Sequence, residues 1–167
     1  MSLAAKPVAR IAIERPDQPD VAALIDALDA YQKPLYPAES HHGIDMAALL
    51  QANVVFAVAR TGDGVAAGCG ALVIEGEWAE LKRMYVRPGH RGQGLAQAVF
   101  AFLEKHAREQ GVRVLKLETG YLQPEALRFY EQAGFVRCAP FGDYDDDPHS
   151  VFMEKPLVRK MAGEETA

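Results

Sequence analysis

Between Trp78 and Ala107 the apolar residues change their spacing, and two glycines stand at the change. Trp78 to Val86 reads as a strand, whereas Leu95, Val99, Leu103 and Ala107 recur every fourth residue, as on one face of a helix. The run Val86-Arg87-Pro88-Gly89-His90-Arg91-Gly92-Gln93-Gly94-Leu95-Ala96 therefore joins a strand directly to a helix. The first N–H groups of such a helix have no partner inside it, and the positive end of the helix dipole lies behind them. Glycines let an anion approach the backbone without meeting a Cβ. Arg87 and Arg91, with Lys82 or Arg83, add full charges. This chemistry suits a pyrophosphate.

Other phosphate loops fit poorly. Gly89 to Gly94 has the spacing of a G-x-x-x-x-G-K-[ST] loop, but Leu95 and Ala96 replace the lysine and the hydroxyl. Gly92 and Gly94 open a G-x-G-x-x-G pattern, but Gln97 fills the third glycine position.

Around this turn the chain reads as alternating elements. Val8 to Glu14 alternates as a first strand, and Asp20 is placed to cap a helix with Val21, Leu24, Ile25 and Leu28 as its apolar stripe. Pro34 and Pro37 end that helix, a polar loop spans Tyr36 to Gly43, and Asp45 caps a short helix over Met46 to Gln51. Asn53–Arg60 and Val65–Glu75 form a hairpin about Thr61-Gly62-Asp63-Gly64, and Trp78–Val86 follows as a third strand. Gly111 closes the helix after the turn. A strand at Val112–Glu118, a helix opening on Pro124 and ending near Gly134, and strands at Phe135–Cys138 and Ser150–Lys155 complete the chain. A meander feeding a β-α-β-α-β unit predicts an α/β fold with a mixed, mainly antiparallel sheet flanked by helices.

Length and composition bound the rest. The 167 residues, 49% hydrophobic and 25% charged, suit one domain spanning residues 1–167 with a frayed tail from about 158. A net charge of -5 speaks against a nucleic-acid-binding surface. No apolar run reaches the roughly 18 residues of a membrane span, and the N-terminus has no signal-peptide core, so the cytoplasm is the expected location. Cys69 and Cys138 form no C-x-x-C pair and read as small core residues, and no metal site is expected.

Two motifs together carry a family resemblance. Arg91-Gly92-Gln93-Gly94-Leu95-Ala96 resembles the R/Q-x-x-G-x-G/A pattern of the GNAT superfamily of N-acetyltransferases. Glu125 to Phe135 resembles that family's A-x-x-x-Y-x-x-x-G-F helix, at the usual separation and with a strand between. Glu80 to Val86 and Leu117-Glu118-Thr119-Gly120 are similar to small bacterial members, and the element order matches the GNAT fold over nearly the whole chain.

The resemblance implies acetyl-coenzyme A as cosubstrate and no metal. Met84, Tyr85 and Val86 then hold pantetheine on a strand splayed from its neighbour, and Arg91, Gly92, Gln93, Gly94, Leu95 and Ala96 cradle the pyrophosphate. Gln123 stands where the family often has the asparagine that touches the cofactor arm. Tyr130 matches the tyrosine near the thioester sulfur, placed to hydrogen-bond the departing thiolate. Glu80 is the candidate base and Glu118 the competing carboxylate; Lys82 can instead pair with Glu80. The implied reaction is direct attack of a primary amine on the thioester. The acceptor is a small-molecule amine, or a peptide amine if the enzyme acts on a protein lysine or N-terminus. A non-catalytic acyl-coenzyme A-binding module on the same fold is the alternative. Members often dimerise, so a homodimer is one expected state. His41 and His42 read as exposed loop histidines bordering the acceptor site. Phe141 to Pro148, with Asp145 to Asp147, is an aromatic–acidic loop that either attracts a cationic amine or is simply solvated.

Overall fold

The computed structural model describes residues 8–41 and 44–157. The tail from about 158 and His42, both subjects of expectations above, lie outside the described residues. In chain order the elements are β1 (Val8–Ile13), α1 (Pro19–Gln32), α2 (Met46–Leu49), β2 (Val54–Thr61), β3 (Ala66–Glu75) and β4 (Trp78–Val86). They continue with α3 (Leu95–Glu109), β5 (Val114–Gly120), α4 (Pro124–Gln132), β6 (Val136–Arg137) and β7 (Ser150–Pro156). The strands form one sheet in the order β1-β2-β3-β4-β5-β7-β6. β4 and β5 are parallel and the other neighbours antiparallel, so the sheet is mixed and mainly antiparallel, as expected.

Strand alternation divides the core between two faces. On one, Leu95, Val99, Leu103 and Ala107 of α3 pack against Ala57, Ala59 and Leu72, and Leu127, Phe129 and Tyr130 of α4 join them. On the other, Val21, Leu24 and Ile25 of α1 pack against Phe56, Val58 and Cys69. Gly111 takes φ 82° just past α3, where a left-handed residue releases the chain into β5.

Three expectations change. α1 begins two residues early: Gln18 is its N-cap and Pro19 its first residue, and Asp20 turns its carboxylate to Arg60 at 2.7 Å instead of capping. β6 shrinks to two residues. The third change matters most. Strict alternation puts Glu80, Lys82, Met84 and Val86 on one face, but Arg83 takes φ 57° and the β3–β4 register slips between Cys69/Tyr85 and Ala71/Lys82. This bulge adds a residue to β4 and exchanges the faces beyond it. Met84 and Val86 join Ala79 and Leu81 on the α3 face, and Tyr85 packs with the α1 face.

The bulge seats Met84 beside Gly70. A Cβ on Gly70 would lie 2.5 Å from Met84 Sδ, 3.0 Å from a Leu103 methyl and 3.1 Å from a Val99 methyl. Met84 can yield, but the two branched side chains of α3 cannot yield freely. Gly70→Ala is expected to cost about 1–2 kcal/mol by overpacking, read as a lower denaturation midpoint at unchanged slope. Its displacement of Met84 should also raise the KM for the ligand of the cleft described next.

Candidate active site

β4 and β5 pair only at Trp78–Glu80 with Val114–Lys116, although β4 runs to Val86 and β5 to Gly120. Past that ladder no backbone pairing joins β4 to β5 among the described residues, and two cavities flank the gap.

The first is a cleft of about 630 Å³. Its floor is Met84, Tyr85 and Val86; one wall is the turn and first residues of α3, with Arg91, Gly92, Gly94, Leu95 and Ala96; the other is α4 from Gln123 to Tyr130. Gly92 and Gly94 take φ 76° and 75°, and no atom lies within 4 Å of a Cβ built on Gly92. The first bond into α3 runs from the Ala98 N–H to the Gly94 carbonyl, and Gly94 provides no side-chain cap. The N–H groups of Leu95, Ala96 and Gln97 thus have no acceptor among the described residues and open at the cleft, a site built for an anion. Arg91 stays at its mouth, its Nε donating to the Val86 carbonyl at 3.0 Å and its guanidinium 5.8 Å from the Tyr85 ring.

The second cavity, about 430 Å³, lies between β4 at Leu81–Met84, β5 at Glu118–Gly120, and the loop after α1. Glu118 faces it, its Oε2 accepting from Ser150 Oγ at 2.7 Å. His149 and Ser40 line its rim. Tyr36 crosses from the α1 loop over Gly120, where a Cβ would fall on its hydroxyl. That hydroxyl donates to Gln123 Oε1 and accepts from the Leu122 N–H, both at 3.2 Å. Five residues line both cavities: Leu28, Met84, Gln123, Ala126 and Tyr130. Tyr130 stands at that junction, wedged against Phe129 and Phe135 at ring distances of 5.2 and 5.7 Å. Burial pushes its phenol pKa up, so the hydroxyl keeps its proton at neutral pH. It makes no hydrogen bond among the described residues.

Most of the expected ligand residues meet at the first cleft: Met84, Tyr85, Val86, Arg91, Gly92, Gly94, Leu95, Ala96 and Gln123. Gln93 does not line it; its side chain is exposed. The added cations are spent elsewhere. Arg87 Nε donates to the Ala66 carbonyl at 3.1 Å, Arg83 pairs with Asp29 at 2.6 Å, and Lys82 pairs with Glu80 at 3.2 Å. Glu80 lies outside the lining of both cavities, its Oε2 accepting from Lys82 and, at 2.5 Å, from the Tyr144 hydroxyl. His41 lines the second cavity, but its Nε2 approaches the carbonyls of Tyr36 and Lys33 at 2.9 and 3.2 Å, which ties up the loop.

Sequence reasoning missed His149, Ser40 and Tyr36. Asp147-Pro148-His149 was the available signal, a carboxylate and an imidazole two residues apart.

A parallel pair that opens halfway, a glycine-rich turn with unpaired N–H groups beside it and a tyrosine between two cavities agree with the resemblance to the GNAT fold. The sequence model of the acetyltransferase (GNAT) family matches residues 21–135; the chain belongs to that family and is an N-acetyltransferase by class. It is 44% identical over 153 residues to an IAA acetyltransferase of Azospirillum brasilense, covering 90% of this chain and 99% of that protein. It is 38% identical to the N-acetyltransferase YsnE of Bacillus subtilis, covering 72% and 82%. A crystal structure of a candidate acyl-CoA N-acyltransferase from Klebsiella pneumoniae superimposes with a TM-score of 0.76 at 37% identity, over 89% of this chain and 97% of that one. The PaiA N-acetyltransferase of Thermoplasma acidophilum, solved with coenzyme A, shares the fold with a TM-score of 0.67 at 21% identity, over 89% and 99%.

Proposed function

We propose that this chain transfers the acetyl group of acetyl-coenzyme A to a primary amine by direct attack within a ternary complex. The observation that carries this reading is the junction at Tyr130, where the anion-binding cleft and the carboxylate-bearing cavity share a wall. Coenzyme A suits the first cleft: free N–H groups for its pyrophosphate and an apolar floor of Met84 and Val86 beside the unpaired edge of β4 for its arm. The acceptor enters the second cavity, where the carboxylate of Glu118 holds its ammonium. The carboxylate role thus moves from Glu80, which Lys82 and Tyr144 already occupy, to Glu118.

The amine nitrogen attacks the thioester carbonyl carbon, the C–S bond breaks, and the thiolate leaves beside the Tyr130 hydroxyl. The balance is R–NH3⁺ plus acetyl thioester giving R–NH–acetyl, free thiol and one proton. Purified protein mixed with acetyl-coenzyme A and a panel of amines should release thiol with at least one of them, with the acetylated product identified by mass. Coenzyme A binding with no turnover across alkylamines, amino acids and peptides would reject transfer in favour of a binding module.

A further inference from the structure

His149 is a polar group in the acceptor cavity that the reading above leaves without a task. It stands just before β7, and its chain position is fixed from several sides. Its N–H donates to Asp147 Oδ1 at 2.9 Å, and its carbonyl accepts from the Tyr121 N–H at 3.1 Å. The ring lies between Tyr121, centroid distance 5.9 Å and tilt 36°, and Tyr36, at 6.5 Å and near-perpendicular. Ring Nδ1 faces Asp147 Oδ1 at 3.3 Å and Ser40 Oγ at 3.3 Å. Asp147 is itself largely shielded, with 13% of its side chain exposed, and Ser40 is 8% exposed.

This arrangement selects a tautomer. A carboxylate can only accept, so the nitrogen facing Asp147 carries the proton, and Ser40 Oγ shares it as a second acceptor. The lone pair is then on Nε2, which makes no hydrogen bond among the described residues. His149 lines the acceptor cavity, and Nε2 is the ring nitrogen that Asp147 and Ser40 leave unengaged.

We propose that His149, oriented by Asp147, is the general base that removes a proton from the acceptor ammonium; this rests on the acetyl-transfer reading. Glu118 alone is a poor choice for that step. A carboxylate is far less basic than an alkylamine, whereas an imidazole is the side chain suited to exchange protons near neutrality. Glu118 holds the ammonium, Nε2 takes one N–H proton, and the freed lone pair attacks the thioester carbon. On collapse the C–S electron pair leaves with sulfur under a hydrogen bond from the Tyr130 hydroxyl, the second N–H proton and the imidazolium proton pass to water, and the thiolate takes one proton back from water. The charged groups around the imidazole fit this. Asp147 lies on its Nδ1 side, Glu118 faces the cavity from β5, and Lys33, Lys82 and Arg83 line other parts of that wall. The phenols of Tyr36 and Tyr121 flank the ring.

The test uses the full chain and an acceptor chosen from those the wild type acetylates. His149→Gln should lower kcat for an alkylamine about 50-fold, leave its KM within about threefold, and remove the acidic limb of the rate–pH profile. Asp147→Asn should lower kcat about tenfold. An alkoxyamine, already neutral at pH 7, should lose less than about fivefold with His149→Gln, because no proton need be removed before attack. Long-range ¹⁵N–¹H spectra of the wild type should show the neutral ring protonated at Nδ1. Equal losses for alkylamine and alkoxyamine, no loss with either, or an Nε2–H tautomer would each overturn the proposal. An active wild type beside an equally active His149→Gln rejects this inference alone; a wild type silent on every amine rejects the acetyl-transfer reading with it.

Discussion

Replacing Tyr130 with Phe will lower kcat for acetyl transfer about 30-fold and leave the KM for acetyl-coenzyme A within about twofold. The ring contacts with Phe129 and Phe135 need no hydroxyl, so the variant keeps its packing and its fold. On the proposed mechanism, what it loses is a donor poised where negative charge develops on sulfur. A thiol's pKa near 8.5 means that the thiolate can leave without full protonation, so a hydrogen bond matters more than proton transfer. The loss should therefore fall at the low end of the 10²–10⁴ range of acid catalysis or just below it. Steady-state kinetics with circular dichroism as a folding control would check it. An unchanged kcat would mean that the sulfur does not reach this junction.

Arg60→Met will produce the largest loss of stability. Arg60 joins three segments: its Nε and Nη2 reach the Glu14 carboxylate at 3.0 and 2.8 Å, and its Nη1 reaches Asp20 at 2.7 Å and the Gly64 carbonyl at 2.9 Å. Its side chain is 11% exposed and that of Glu14 14%, whereas Asp20 is half exposed and screened by water. Removing one partner of a buried pair strands the other. The expected cost is about 3 kcal/mol, a fall in Tm of about 10 °C. Adding Glu14→Gln should recover part of it. Hydrogen bonds from Arg60 hold the Glu14 carboxyl below its ordinary value of 4.5. That stabilisation is complete above pH 4.5 and is lost as pH falls through the lowered folded value. The gap between wild type and variant should therefore narrow below about pH 4 in thermal melts, and a constant gap would refute the assignment.

The anion turn was legible because glycine, arginine and a change of apolar spacing all fall on one short segment. Tyr130 was singled out only because Glu125 to Phe135 resembles the GNAT helix motif. Alternation along β4 misled at one residue, Arg83. A positive φ at arginine has no signature in the chain, and it comes with tertiary partners, Asp29 and the Ile44 carbonyl, more than 35 residues away in sequence. Glu80 and Glu118 were equally acidic on paper. They are separated by Tyr144, a residue of the aromatic–acidic loop that folds back onto the sheet and occupies Glu80. The same loop leads into His149, whose partner Ser40 is 109 positions away. Loops reaching one cavity from distant parts of a chain carry no spacing rule, and for this reason the residues lining the proposed acceptor cavity could not be read from the sequence.

The Tyr36 hydroxyl, bridging the Leu122 N–H and the Gln123 side chain above Gly120, bears on how enzymes of this build diversify. The loop that would choose the acceptor is fastened to the residue placed to touch the donor's arm. A graft of residues 33–45 from a relative with another substrate would import a new specificity only if the tyrosine, the glycine and the amide travel as a set. Exchanged singly, each would break the fastening and disturb donor binding along with acceptor choice. Inheritance of substrate preference in this architecture is thus expected to run in linked trios, not through loops exchanged alone.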